Sequence, residues 1–240
     1  MAVYETRLVR RATVAEGTMA FHFEHPTGFA HDAGQNIVMT QVDPPETDSE
    51  GPSRTFTVAS APHEPELMIA TRMRDTAFKR VLKSAAIGLK VRIDGPNGVM
   101  VLHEDAARPA VLLAGGIGIT PFLSMARHAA KNRLPHRIVL FYSNRRPEDA
   151  AFLDELRSLE QANPNYRLIA SMAEPEKSSQ AWKGETGFIR RDMLERHLPD
   201  LLSPIYYFAG PPAMTMAMQS MLERCGVSGN DMRSEEFYGY

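Results

Sequence analysis

The sequence predicts two sheets of opposite kind in one chain: an N-terminal antiparallel β-barrel over residues 1–105 and a C-terminal α/β doubly wound parallel sheet over residues 106–240. Three observations carry this. The first part is filled with short extended runs separated by turn residues. From Ala110 onward, apolar strand-length runs alternate with segments of helical spacing. Where the pattern changes stands Leu112-Leu113-Ala114-Gly115-Gly116-Ile117-Gly118-Ile119-Thr120-Pro121, an apolar run feeding a glycine turn and then a helix start.

In the first part, Val3 to Val14 and Gly17 to Glu24 read as two extended segments, the second in partial apolar alternation. Pro26 to Gly34 is turn-rich, and Gln35 to Val42 is another strand. Asp43 to Ser53 combines prolines, a glycine and acids without an apolar face, so it is a loop. Arg54 to Ser60, Pro65 to Arg72 and Gly88 to Ile93 return to strand character. Thr76 to Lys83 is the one helix here, with Phe78, Val81 and Leu82 on one side. Asp75 or Thr76 caps it, and its free N–H groups form a possible phosphate cradle. Along Arg54-Thr55-Phe56-Thr57, alternation puts Arg54 and Phe56 on one face, a cation and a flat ring together. Taken alone, that tetrapeptide reads as an ordinary strand with an exposed arginine and a core phenylalanine. Gly95-Pro96-Asn97-Gly98 is expected to be a tight turn, and Glu104 to Pro109 a polar linker.

The second part has expected strands at Ala110–Ala114, Arg137–Tyr142, Tyr166–Met172 and Ile205–Phe208. Its helices are expected at Pro121–Lys131, Glu148–Gln161, Asp192–His197 and Pro212–Cys225, with Thr120 as a cap and Pro121 in the first turn. Ligands of such sheets bind at the carboxyl ends of the strands. There lie the glycine turn, Ser143-Asn144-Arg145-Arg146, and Ala209-Gly210-Pro211-Pro212. The glycine turn reads as an anion site by backbone N–H groups and helix dipole, with a purely structural strand-to-helix turn the equal alternative, and it is not G-x-G-x-x-G. Arg145 and Arg146 stand where such folds meet an adenosine ribose; an arginine there suits a 2′-phosphate, and two solvated arginines is the equal alternative.

Composition excludes several classes. The net charge of −2, without basic or acidic runs, gives no reason to expect a nucleic acid or anionic membrane as partner. One cysteine, Cys225, rules out an internal disulfide, a cysteine-ligated iron–sulfur cluster and a zinc site of several thiolates. Pro109 to Ala126 is uncharged and approaches membrane-span length, but the glycines and Pro121 divide it into strand and helix. No signal peptide is visible, so a cytoplasmic setting is expected. The eight histidines show no metal or triad spacing; His22, His31 and His103 read as surface or satisfied core residues.

Arg-x-aromatic-Thr in a barrel, then Gly-Gly-x-Gly-x-Thr-Pro, then Gly-Pro at a strand end, then Glu-x-Phe near the C-terminus, resembles the ferredoxin–NADP reductase superfamily across essentially the whole chain. That superfamily includes flavodoxin, cytochrome b5 and dioxygenase reductases. The resemblance implies that Arg54 contacts a flavin pyrophosphate, Phe56 lies against the isoalloxazine and Thr57 bonds near N5. It implies that Thr71 and Arg72 border the flavin and that Thr76 and its helix cradle the pyrophosphate, which favours FAD over FMN. Gly115, Gly116, Gly118 and Thr120 would face the nicotinamide nucleotide, and Gly210 and Pro211 would flank the nicotinamide. Glu235 and Phe237 would lie at the nicotinamide side, with Tyr240 a rival aromatic cover. A terminal strand docking its aromatics into the core is the structural alternative.

Two departures stand out. Many relatives have Cys-Gly-Pro where this chain has Ala209-Gly210-Pro211, and the plant-type ferredoxin domain of some relatives is missing. The implied activity is hydride transfer from NADPH or NADH to FAD, with Thr57 stabilising the changing charge at N5. Electrons then pass to a separate acceptor such as ferredoxin, flavodoxin or an oxygenase component. Arg145 and Arg146 tilt the choice toward NADPH. The alternatives are a free flavin reductase, a non-catalytic flavoprotein-like regulatory subunit, and a purely structural module.

Overall fold

The computed structural model describes residues 2–238. Strands β1 (Val3–Ala15), β2 (Thr18–Glu24), β3 (Asn36–Gln41), β4 (Ser53–Thr57), β5 (Glu66–Arg72) and β6 (Lys90–Asn97) form an antiparallel sheet in the order β4-β3-β6-β1-β2-β5. It curls until its edges, β4 and β5, approach each other, giving the expected barrel. Inward residues Phe21, Phe23, Ile37, Met39, Val91 and Ile93 fill it. Helix α1 (Ala77–Ser84) closes one end by burying Phe78 and Leu82 in the same core, and Thr76 caps it by accepting from the Lys79 N–H at 3.4 Å.

Gly95-Pro96-Asn97 is not the expected turn: it prolongs β6, and Asn97 pairs with Asn36. Proline lacks an N–H, and the β3–β6 ladder shifts register between Asn36 and Val38, where that missing donor is tolerated. β6 ends at Asn97, and Gly98 beyond it takes a φ of +88°, which favours glycine.

The second sheet comprises β7 (Ala110–Gly115), β8 (Ile138–Asn144), β9 (Tyr166–Met172), β10 (Glu185–Thr186), β11 (Ile205–Gly210) and β12 (Met232–Glu236). All its pairings are parallel, in the order β10-β9-β8-β7-β11-β12. Helices α2 (Ile119–Asn132) and α3 (Leu153–Ala162) cover one face, packing on Leu112, Leu140 and Tyr207. Helices α4 (Arg191–His197) and α5 (Pro212–Arg224) cover the other, on Val111, Phe141 and Phe208. The sheet is therefore doubly wound. From β7 the chain runs out to β8, and from β11 the opposite way to β12, so the crevice between β7 and β11 is the topological switch point.

Two helix starts differ from expectation. α2 begins at Ile119, so Thr120 lies inside its first turn and its hydroxyl donates to the Ile117 carbonyl at 3.1 Å instead of capping. α3 begins at Leu153, because Pro147–Asp149 make a separate short turn and Phe152 takes a left-handed φ of +61°. Strand β10 is not among those expected, and β12 overlaps the terminal strand given as the structural alternative for the C-terminus.

The halves share a core: Ala59, Met68 and Ala70 of the barrel pack with the α2 layer. Polar ties reinforce the contact. The Ser124 hydroxyl donates to the Ser60 carbonyl at 2.7 Å, and Arg127 pairs with Glu64 and Glu155. Among the described residues no helix is long and apolar enough to cross a membrane.

Candidate functional site

Two clefts open where the halves meet. The first, about 440 Å³, takes its walls from β4, β5, the α1 start and the end of the chain. Arg54, Phe56, Thr57, Thr71, Arg72 and Thr76 all border it, as do Glu235 and Phe237. The second, about 540 Å³, lies at the switch point. Gly115, Gly116, Arg145 and Pro211 line it. Arg72 and Arg74 belong to both walls, so the clefts are neighbours with a cationic partition.

Strand alternation carries Arg54 and Phe56 to one side of β4, where both meet Phe78. The Arg54 guanidinium lies 5.4 Å from that ring's centre, and the Phe56 ring lies 5.6 Å from it. Phe56 is therefore largely a core residue, 8 % exposed, with only an edge on the cleft. Thr57, on the alternate side, is buried, and its hydroxyl has no partner among the described residues. An unpaired buried hydroxyl costs roughly 1–3 kcal/mol, a cost that an arriving ligand acceptor removes.

Arg54 is held by Asp48 and Glu50, each at 2.9 Å. The other Asp48 oxygen accepts the Ala77 N–H at the α1 start, at 3.0 Å. A carboxylate thus bridges the cation and the helix N-terminus, as an oxygen of a phosphate would. The seat already holds carboxylate oxygens, so the residues fit a pyrophosphate, which would take the place of Asp48. Asp48→Asn is accordingly expected to tighten flavin binding about 3- to 10-fold, read by quenching of flavin fluorescence, because it removes a competing charge.

At the second cleft, Gly116 takes a φ of +54°. Gly115 and Gly210 face each other across neighbouring strands under Met214; a Cβ on Gly115 would stand 2.2 Å from its sulfur. Gly118 does not face the cleft. A Cβ there would stand 2.2 Å from the Ala209 carbonyl oxygen, so this glycine serves the contact between the turn and β11. Thr120, 1 % exposed, is likewise buried away from the lining. Arg146 also leaves the cleft: it pairs with Asp149 at 3.1 Å and with Glu16 of the barrel at 2.9 Å. Adjacent residues at a strand end point oppositely, and only Arg145 turns inward. Asn144 beside it is buried, and among the described residues neither of its side-chain polar atoms has a partner.

Glu235 stands on β12 opposite Ala209 and accepts from the Asn36 amide of β3 at 2.9 Å. Burial raises the pKa of its carboxyl, and the Asn36 bond opposes that rise. The Phe237 N–H donates to the Gly210 carbonyl at 2.9 Å, fixing its backbone beside the Gly-Pro turn while its ring packs on the α2-side core. Exposed Tyr238 lines the first cleft, and its hydroxyl donates to Glu236. Tyr240 lies outside the described residues.

The sequence reading missed Asn36, Asp48 and Arg74, and it singled out the stretch Ser143–Arg146 without giving Asn144 a role. Asp48 was hidden because acids in a proline-rich loop read as solvated. Arg74 had a usable signal, lying two residues from Arg72. His103 is a satisfied core group, bonded to the Tyr207 hydroxyl and the Arg108 carbonyl at 2.9 and 3.0 Å.

Residues 112–220 match the family described as the oxidoreductase NAD-binding domain. The chain is 26 % identical over 223 residues to the glycine betaine monooxygenase reductase subunit of Chromohalobacter salexigens, covering 92 % of this chain and 60 % of that protein. It is 29 % identical over 158 residues to NADH-cytochrome b5 reductase 1 of Neosartorya fischeri, covering 63 % and 50 %. The chain thus spans between half and three fifths of these relatives' lengths. In fold it matches a ferredoxin NADP+ reductase from Neisseria gonorrhoeae solved with bound FAD and NADP, with a TM-score of 0.81 at 19 % identity over 98 % of this chain and 99 % of that one. The fold of the whole chain is thus the one seen in that ferredoxin NADP+ reductase, and residues 112–220 of its parallel half match the oxidoreductase NAD-binding family.

Proposed function

We propose that the protein is an FAD-dependent NAD(P)H oxidoreductase, with an FAD-binding unit over 1–105 and an NAD(P)-binding unit over 106–240. Its electrons go to a separate cytoplasmic protein: a ferredoxin, a flavodoxin or an oxygenase component. The observation that carries this reading is the pair of adjoining clefts with Arg72 and Arg74 in their common wall. Two anionic cofactors placed there meet at one partition.

When bound, FAD supplies hydride acceptance from a nicotinamide and release of electrons singly. The chain's own residues bind, orient and exclude water. Arg54 and the α1 start hold phosphate charge. Thr57 offers a buried hydroxyl to the ring edge. Gly115, Gly116 and Pro211 shape the nicotinamide side, and Phe237 shields the junction. The absence of a thiol at Ala209 leaves Glu235 and Thr57 as the polar groups there. The visible spectrum of the purified protein, followed by anaerobic titration with NADH and NADPH, tests the reading; a protein that binds no flavin overturns it.

Arg145, which lines the second cleft, is our candidate for selecting NADPH. Arg145→Ala is expected to raise the KM for NADPH about tenfold, with the KM for NADH within about twofold and Arg146→Ala without selective effect. Steady-state kinetics with both nucleotides checks this. A second reading, flavin as an exchangeable substrate, draws support from the engagement of Arg54 by Asp48 and Glu50. Retention of FAD through desalting rejects it.

A further inference from the structure

We propose that Asn36 is a positioning residue of the redox site: its amide holds one oxygen of the Glu235 carboxyl, so that the other is left for the reacting ligands beside Thr57. Asn36 is backbone-paired with Thr57 across β3–β4 and with Asn97 across β3–β6, so its own position is fixed on both sides. Glu235 comes from the other sheet, 199 residues away in sequence, and the 2.9 Å Asn36–Glu235 bond joins the halves at the cleft.

Among the described residues Glu235 Oε2 is buried and has no partner, and the same holds for the Thr57 hydroxyl on the strand beside Asn36. One is an acceptor and the other a donor, and both line the same cleft. A carboxyl free to rotate would not keep a defined oxygen there. With Oε1 tied to Asn36, Oε2 has one place to be, and it is the oxygen that takes a proton or a donor hydrogen bond from a ligand.

Asn36 also governs when that oxygen carries a proton. Two influences act on Glu235: burial favours the protonated form, and the Asn36 N–H favours the ionised form. The charged groups bordering the cleft are Arg54, Arg72, Arg74 and Lys79 on the barrel side, with Glu50 from the acidic loop and Glu236 from β12. None of them is among the causes of the Glu235 shift.

The proposal rests on the oxidoreductase reading for what Glu235 serves, but not for how it is held. The test is therefore double. In the full chain without added flavin, Glu235 is titrated by carboxyl infrared difference spectroscopy, its band assigned with Glu235→Gln. Asn36→Leu is expected to raise the midpoint by about one pH unit, a tenfold change in the ionisation ratio. Asn36→Asp, close to isosteric, raises it at least as far by setting a second carboxyl against the first. In the flavin-loaded chain, the pH limb of anaerobic flavin reduction moves by the same interval in the Asn36 variants and stays in place in Thr57→Ala. An unmoved infrared midpoint in both Asn36 variants overturns the proposal, and so does a midpoint that moves without the kinetic limb following. A chain that takes up no FAD overturns the oxidoreductase reading, while the infrared titration still decides whether Asn36 holds Glu235.

Discussion

Thr57→Ala is expected to slow anaerobic reduction of bound FAD by NAD(P)H about 10²-fold, with the affinity for FAD changed no more than about threefold. Thr57 is 4 % exposed, and its hydroxyl has no acceptor among the described residues. A folded chain keeps such a donor unpaired where a ligand pairs it. Alanine removes only the hydroxyl and the γ-methyl, two heavy atoms, so the fold loses little packing. The hydroxyl's partner charge changes during hydride transfer, which is why the loss falls on the rate and not on binding. Stopped-flow absorbance of the flavin band measures it. A variant that reduces its flavin at the parent rate removes Thr57 from the chemistry. Serine in place of threonine is expected to recover most of the rate.

Gly118→Ala is expected to be the most damaging of the glycine changes, lowering stability by about 3 kcal/mol and the melting temperature by roughly 6–12 °C. Its Cβ would stand 2.2 Å from the Ala209 carbonyl oxygen and 2.7 Å from the Gly210 nitrogen. Both are backbone atoms of a central strand, so neither yields as a side chain does. Gly115→Ala presses instead on the flexible Met214, at 2.2 Å from sulfur, and is expected to cost less than half as much. Calorimetry of the two variants ranks them. Equal melting temperatures would show that the turn and β11 are less tightly joined than these distances require.

The contrast between these two glycines shows what the sequence could and could not carry. Three glycines after an apolar run announced a close approach of backbone to something. Gly116 and Gly115 do border the cleft, but Gly118 approaches the chain's own β11. Both uses demand a missing side chain, and only the strand order tells them apart. Strand and helix periodicity was legible because it is local: the barrel strands, α1, and the β7–β9 and β11 core strands follow from side-chain alternation and apolar runs. The two-residue β10 is too short to have a period, and polar β12 is an edge strand recognisable only through its partner β11.

Pairings of charge were the least legible. Arg145 and Arg146 are chemically identical neighbours, yet one lines a cleft and the other is consumed by Asp149 and Glu16. Nothing in their spacing records that Glu16, at the β1–β2 turn, comes to lie beside them. The same is true of Asp48, whose loop gave no sign of its attachment to Arg54 and α1. Long-range partners of polar residues depend on how the two sheets are docked, which no local pattern encodes.

The bond between Asn36 and Glu235 spans nearly the whole chain. The barrel strands and the glycine turn are complete long before β12 has been synthesised. Contacts of such separation form late, because the intervening chain must first be collapsed to bring the ends together. The residues of the anion seat and of the nucleotide turn are therefore synthesised well before the carboxyl that lines the same cleft as Thr57. Among the described residues bordering that cleft, those from Glu235 to Tyr238 are the last to leave the ribosome, so one wall is added to a barrel whose strands have already been made.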